Sequence, residues 1–158
     1  MSNYKICKFK EENLEDLVSL SSEFFKEQYK KNHIPLIEQN RIKNDLENGF
    51  KKRLYECLLA KKEDKIVGYS LFEYKQKNHK ILKIANILES YVLPEHRGNL
   101  IGLNLLALTL RYLKLRGCKS VFAEIKNDNK KVLFKDIKFF KFNVYKTDKD
   151  YILIKKKL

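Results

Sequence analysis

Val92-Leu93-Pro94-Glu95-His96-Arg97-Gly98-Asn99-Leu100-Ile101-Gly102 stands where an apolar strand ends and a long helix begins. Upstream, Ile81 to Leu93 reads as strand. Downstream, Ile101, Leu105, Leu108, Tyr112 and Leu115 recur at helical spacing on one face, and Gly117 falls where a left-handed cap belongs. Arg111, Lys114 and Arg116 lie near the helix C-terminus, where cations favour the dipole. Such a strand-to-helix turn aims several unpaired backbone N–H groups at one spot, a ready site for pyrophosphate. Gly98 and Gly102 permit a close approach. Ser120 to Ile125 is a further strand, so residues 81 to 125 predict a parallel βαβ unit.

Working outward, Tyr4 to Phe9 alternates as a short strand. Leu14, Leu17, Val18, Phe24 and Phe25 then recur at helical spacing behind a cap at Asn13. After Pro35, the residues Ile42, Leu46 and Phe50 predict a second helix ending near Gly49. Leu54 to Lys61 and Lys65 to Lys75 follow as strands joined at Glu63-Asp64, and with Ile81 to Leu93 they form an antiparallel meander. Lys130 to Ile137 is a short helix, and Phe139 to Thr147 with Tyr151 to Lys156 a closing hairpin around Asp148-Lys149. The order is β-α-α-β-β-β-α-β-α-β-β. That predicts an α/β (α+β) fold with a mixed, mostly antiparallel sheet of about seven strands and about four helices.

A chain of 158 residues, 44% of them apolar, with ten Phe and nine Tyr, suffices for one packed core, and no linker divides it into domains. No apolar run resembles a signal peptide or a membrane span, so the expectation is a soluble, cytoplasmic protein. Cys7, Cys57 and Cys118 are widely spaced without C-x-x-C pairing, which predicts reduced, buried thiols and no metal site. The formal charge of +14 is mostly scattered Lys, a pattern that disfavours a nucleic-acid surface and is compatible with a basic mouth for an anionic cofactor.

The chain resembles the GNAT superfamily of N-acetyltransferases over nearly its whole length, in element order and in motifs. Val92-x-Pro94-x-x-Arg97-Gly98 with Gly102 is similar to the family's acetyl-CoA motif, Arg/Gln-x-x-Gly-x-Gly/Ala. Ile66-Val67-Gly68-Tyr69 is similar to its third strand, and Asn127, Phe134 and Phe139 to its later Asn, Tyr and Gly-Phe signature. The resemblance implies acetyl-CoA as co-substrate, an amine acceptor and a homodimer. It assigns the cofactor to Tyr91, Val92, Arg97, Gly98, Asn99, Leu100, Ile101, Gly102, Asn127 and Phe134. The pantetheine arm would lie where the strand ending near Val92 splays from the strand ending near Ile125, with the N–H near Val92 holding the thioester carbonyl.

An attacking amine must lose a proton, and Glu89, three residues before Val92 on the same strand, is the carboxylate placed to accept it. The alternative is an outward strand residue facing a Lys. Tyr91 lines the acceptor site or belongs to the core. His96 reads as an exposed turn residue, and His33 and His79 as loop residues.

Two positions depart from the family pattern. Leu100 replaces the first motif glycine, and its Cβ would crowd a pyrophosphate or oppose a positive φ. Phe134 stands where many members carry the Tyr that protonates the departing thiolate. A missing acid costs on the order of 10²-fold to 10⁴-fold. Water or Tyr145 is the substitute, and a thiol pKa of about 8.5 makes the thiolate a tolerable leaving group.

A loose likeness to the spermidine/spermine N-acetyltransferase branch rests on 45–50, Tyr55-x-Cys57-Leu58 and Leu88-Glu89. It makes Glu23, Glu27, Glu38 and Glu89 candidates for holding a polycation. The competing expectation is a GNAT-fold module that binds acetyl-CoA with weakened chemistry.

Overall fold

The computed structural model describes residues 3–77 and 80–158, with the side chains of 75–83 and of 134 outside the described set. His79 therefore lies outside the described residues. The elements are strand β1 (Lys5–Lys8), helices α1 (Leu14–Gln28) and α2 (Leu36–Lys51), strands β2 (Tyr55–Lys62), β3 (Lys65–Lys77) and β4 (Lys80–Val92), helix α3 (Ile101–Leu115), strand β5 (Ser120–Lys126), helix α4 (Lys130–Phe140), and strands β6 (Asn143–Thr147) and β7 (Tyr151–Lys157). The expected order holds, with single 3₁₀ turns added at Glu11–Asn13 and Pro94–His96. The strand order is β1-β2-β3-β4-β5-β7-β6. β1–β2, β5–β7 and β6–β7 pair antiparallel, while β4 and β5 pair parallel through Ile84↔Ser120 to Ile87↔Ala123, so the predicted βαβ unit forms.

The chain divides into two compact units, one of Met1–Phe72 with Glu89–Leu106 and one of Glu73–Leu88 with Ala107–Leu158. β3, β4 and α3 run through both. In the first unit α1 forms because Leu14, Leu17 and Val18 recur on one face, which is buried with Leu46, Leu59, Tyr69 and Leu71 in a shared core. Asn13 precedes α1 as expected, but its Oδ1 accepts the Lys10 N–H at 3.1 Å and secures the 3₁₀ turn instead of capping the helix. In the second unit Leu113, Val121, Phe142 and Ile154 are buried, and Ala123 pairs with Ile154 across β5 and β7.

Several boundaries differ from expectation. α2 begins at Leu36, directly after Pro35, whose fixed φ suits a helix start. It also runs through Gly49 to Lys51. Gly49 is no terminator: a Cβ there would lie 2.0 Å from Cδ2 of Tyr55, so the helix uses glycine to admit the ring.

The face of α3 is also rotated by about one residue from the expected stripe. Ile101, Leu105, Thr109 and Leu113 are buried, whereas Leu108 is 39% and Leu115 79% exposed. Leucines all round this helix fit more than one stripe. Gly117 does close α3 at φ +87, with the Cys118 N–H reaching the Leu113 carbonyl at 3.1 Å.

The closing hairpin starts later than predicted, because Phe139 and Phe140 complete α4. Lys141, at φ +58, then turns the chain, and Phe142 is buried at 2% exposure. Phe139, by contrast, is 62% exposed. Cys57 and Cys118 are buried, Cys7 partly, and all three are free thiols.

Candidate active site

Along β4 in the first unit, Glu89 and Tyr91 share a face, and Tyr91 is buried. Glu89 follows that face inward and meets hydroxyls, not lysines. Tyr69 Oη donates to Glu89 Oε2 at 2.6 Å, and Ser21 Oγ donates to the same oxygen at 2.9 Å. Oε1 is the oxygen that neither hydroxyl engages.

Burial pushes the Glu89 carboxyl up, while the Tyr69 and Ser21 hydrogen bonds pull it down and leave it above the usual value. Burial also lifts Tyr69 well above a normal phenol, with Glu89 adding to the rise, so Tyr69 stays a donor. Cys57 is raised well above a normal thiol by burial first and by Glu89 second, which makes it inert as a nucleophile. The arrangement is a single proton-accepting carboxylate held in place by two neutral hydroxyls.

Two residues on, Tyr91 packs edge-on to Phe24 with centroids 6.3 Å apart, and the Arg97 guanidinium lies 5.3 Å from its ring centroid. Burial, and after it Glu27, pushes the Tyr91 phenol up to about 12. Arg97 donates from Nε to the Val92 carbonyl at 2.8 Å and from Nη2 to Glu27 Oε2 at 2.6 Å. Its side chain is thereby fixed beside the end of β4. Gly68 lets β3 approach closely there, since a Cβ would stand 2.9 Å from the Tyr91 carbonyl oxygen. The Leu93 N–H is bonded to the Val67 carbonyl at 2.9 Å.

Beyond Arg97 the backbone turns through φ +87 at Gly98 and φ +60 at Leu100. Leu100 therefore adopts the left-handed conformation its Cβ was expected to oppose, at a cost of roughly 1–2 kcal/mol. Its side chain is 62% exposed. The first i→i−4 bond of α3 runs from Asn104 N to Leu100 O at 2.9 Å, so the N–H groups of Ile101, Gly102 and Leu103 precede the helical ladder. This turn fits a pyrophosphate by donor type and helix polarity. Asn104 itself donates to Tyr4 Oη.

Asn127, Phe134 and Tyr145 belong to the second unit. The Asn127 side chain donates to the Asp148 and Lys149 carbonyls at 2.9 and 2.6 Å, tying the end of β5 to the β6–β7 turn. Tyr145 is 62% exposed at a register shift between Val144 and Lys146, its ring edge-on to Phe122 at 5.3 Å. Phe134 lies on α4, its side chain outside the described residues.

Asp136 is buried on α4, and its Oδ1 has no hydrogen-bond partner among the described residues. Burial pushes its carboxyl from 3.8 up to about 6, with Lys135 opposing. A raised folded pKa means that stability falls as pH rises from 3.8 through about 6. Asp136→Asn keeps the shape without the charge. It is expected to raise the unfolding free energy near pH 7.5 by about 1–2 kcal/mol, with the gain vanishing near pH 4, as urea denaturation at the two pH values will show.

Of the four carboxylates proposed for a polycation, Glu89 meets the two hydroxyls and the other three pair with cations. Glu23 pairs with Lys26 at 2.7 Å, Glu27 with Arg97 at 2.6 Å and Glu38 with Lys31 at 3.2 Å. No cluster of three metal-ligating side chains occurs among the described residues. Sequence reasoning passed over Ser21 and Tyr69 as chemistry. A serine beside Leu17, Val18 and Leu20, on the apolar face of α1, was the available signal, since a buried hydroxyl there needs a partner.

The model of the acetyltransferase (GNAT) family matches residues 14–143. No curated protein matches in sequence. Among solved structures, the fold is similar to PaiA N-acetyltransferase from Thermoplasma acidophilum in complex with coenzyme A, with a TM-score of 0.75, 20% identity and 99% of each chain covered. It is also similar to a GNAT-family acetyltransferase from Staphylococcus aureus Mu50, with a TM-score of 0.77, 14% identity and 99% of each chain covered. A third is the ribosomal-protein-alanine N-acetyltransferase from Brucella melitensis, with a TM-score of 0.71, 20% identity and coverage of 98% of this chain and 99% of that one. With a family match across most of its length, the chain belongs to the GNAT acetyltransferase family.

Proposed function

We infer that this protein is an acetyl-CoA-dependent N-acetyltransferase acting on a primary amine of a small molecule or protein, as one domain in the cytoplasm. Glu89 carries this reading: an inward carboxylate with raised proton affinity, fixed by Tyr69 and Ser21 on the strand that runs into the Arg97–Gly102 turn. Gly98, Asn99, Leu100, Ile101 and Gly102 would hold the pyrophosphate through backbone donors, while Arg97, held by Val92 and Glu27, would brace the turn. Tyr91 and Val92 would line the reacting end. Bound acetyl-CoA supplies an activated acyl group.

Glu89 takes the proton of the acceptor ammonium, directly or through one water, so that a neutral amine is available to attack. Tyr69 and Ser21 keep Oε2 occupied and present Oε1 to that proton. Water serves the departing thiolate, which a thiol pKa of about 8.5 makes a tolerable leaving group. Pairing of Glu23, Glu27 and Glu38 with cations argues against a polycation as the acceptor.

The first test is calorimetric titration with acetyl-CoA at two salt concentrations, with ATP as a polyanion control. Salt-tolerant binding is expected, selective over ATP and weakened at least tenfold in Gly102→Arg. Equal binding of ATP, or no effect of the substitution, would remove the cofactor site from this turn. CoA release on screening amines then tests turnover.

A further inference from the structure

In the first unit, the end of α1 and the first turns of α2 border an open pocket of about 330 Å³. That is the lower end of the range, about 300–1,000 Å³, in which small-molecule sites fall. Its apolar wall is Phe25, Tyr29, Ile34 and Ile42. Phe25 and Tyr29, one helical turn apart, hold their rings 6° from parallel with centroids 6.1 Å apart, and Ile34 is 4% exposed.

Lys31, Glu38 and Arg41 complete a lining that is almost wholly apolar, with their charged ends in reach of solvent at its mouth. Lys31 Nζ donates to both Glu38 oxygens at 3.2 Å, so those two charges satisfy each other. Arg41 is left as the lining cation without a hydrogen-bond or ionic partner among the described residues.

The walls are braced open. Lys30 turns the chain at φ +52, the Lys31 N–H bonds the Lys26 carbonyl at 2.8 Å, and Gln39 Nε2 bonds the Ile34 carbonyl at 2.9 Å. A braced apolar pocket with one unpaired guanidinium selects a ligand with an apolar body and one planar anionic end, because guanidinium and carboxylate match in bidentate geometry.

We propose that this α1–α2 pocket is a binding site for a small apolar carboxylate of the arylalkanoate or medium-chain alkanoate class, seated against Phe25 and Tyr29 with its carboxylate on Arg41. The site stands independently of acetyl transfer. It does adjoin the active-site residues through a ring row, since Phe25 meets Phe24 edge-on at 5.2 Å and Phe24 meets Tyr91.

The test is titration of the full chain with 4-phenylbutyrate, 4-phenylbutanol and butyrate, followed by calorimetry and by ¹⁹F NMR of protein carrying 3-fluorotyrosine. Saturable binding of phenylbutyrate is expected, at least tenfold tighter than the alcohol or butyrate, with a shifted Tyr29 resonance assigned by Tyr29→Phe. Arg41→Gln should weaken it at least tenfold, while Arg111→Gln, on the far end of α3, leaves it unchanged. Unaltered acetyl-CoA binding by Arg41→Gln shows that the variant is folded. The proposal is overturned if phenylbutyrate does not saturate, if the alcohol binds as tightly, or if Arg111→Gln weakens binding as much as Arg41→Gln does, which would mark general attraction to a basic surface.

Discussion

Glu89→Gln is expected to lower kcat/KM for amine acetylation by about 10²-fold to 10⁴-fold, the usual worth of a positioned general base, while acetyl-CoA affinity is retained. Gln keeps the size of Glu, and its carbonyl oxygen can still accept from Tyr69 and Ser21, so the local packing survives and only basicity is lost. The pH profile gives the second readout. Because burial lifts the Glu89 carboxyl, activity should rise with pH along a limb placed above the ordinary carboxylate range.

Tyr69→Phe removes a hydrogen bond that favours the charged form. It should move that limb to still higher pH and cost less rate than Glu89→Gln. A Glu89→Gln enzyme with undiminished turnover and an unchanged acid limb would show that the carboxylate is only a packing partner for Tyr69.

Gly49→Ala is expected to destabilise the fold by about 3 kcal/mol, at the upper end of overpacking costs. Helix propensity alone predicts the opposite, since Ala in a helix interior is better than Gly by about 1 kcal/mol. Geometry decides the sign. The added Cβ would lie 2.0, 2.3 and 2.5 Å from three atoms of the Tyr55 ring. That ring cannot swing away cheaply: its hydroxyl donates to the Asp45 carboxylate at 3.2 Å, and it packs edge-on to Phe50 at 6.2 Å. Phe50 in turn stacks on Phe9 at 4.0 Å. Urea denaturation of Gly49→Ala, Tyr55→Ala and the double variant checks this. The double variant should be more stable than the sum of the single losses, and strict additivity would show that the two sites do not collide.

The legible part of the fold is that written in local periodicity and caps. Strand alternation, the helical repeat from Leu14 and the glycine at 117 depend on residues within a few positions of one another, and they placed every strand and helix in order. Contacts between distant segments were not legible. Ser21 and Glu89 are 68 positions apart, so local sequence left open whether Glu89 turns inward as a base or outward towards a lysine, and gave no sign of its hydroxyl partners. Gly49 misled for the same reason, because Tyr55, which requires it, lies on the next element. The α3 face was misjudged because leucine-rich sequence supports neighbouring stripes equally. In the candidate site, the motif located the turn from Arg97 to Gly102, whereas nothing local revealed that Glu27 would pin the Arg97 side chain.

Among the described residues, five that are not glycine turn the chain in the left-handed region: Lys30, Arg53, Glu63, Leu100 and Lys141. Each costs roughly 1–2 kcal/mol of backbone energy, against about 0.5–1 kcal/mol of extra chain entropy for a glycine in its place. Four of the five lie apart from the proposed cofactor turn and from one another in sequence. The molecule therefore carries an untapped margin of heat resistance in its turns, open to engineering one position at a time without disturbing the chemistry.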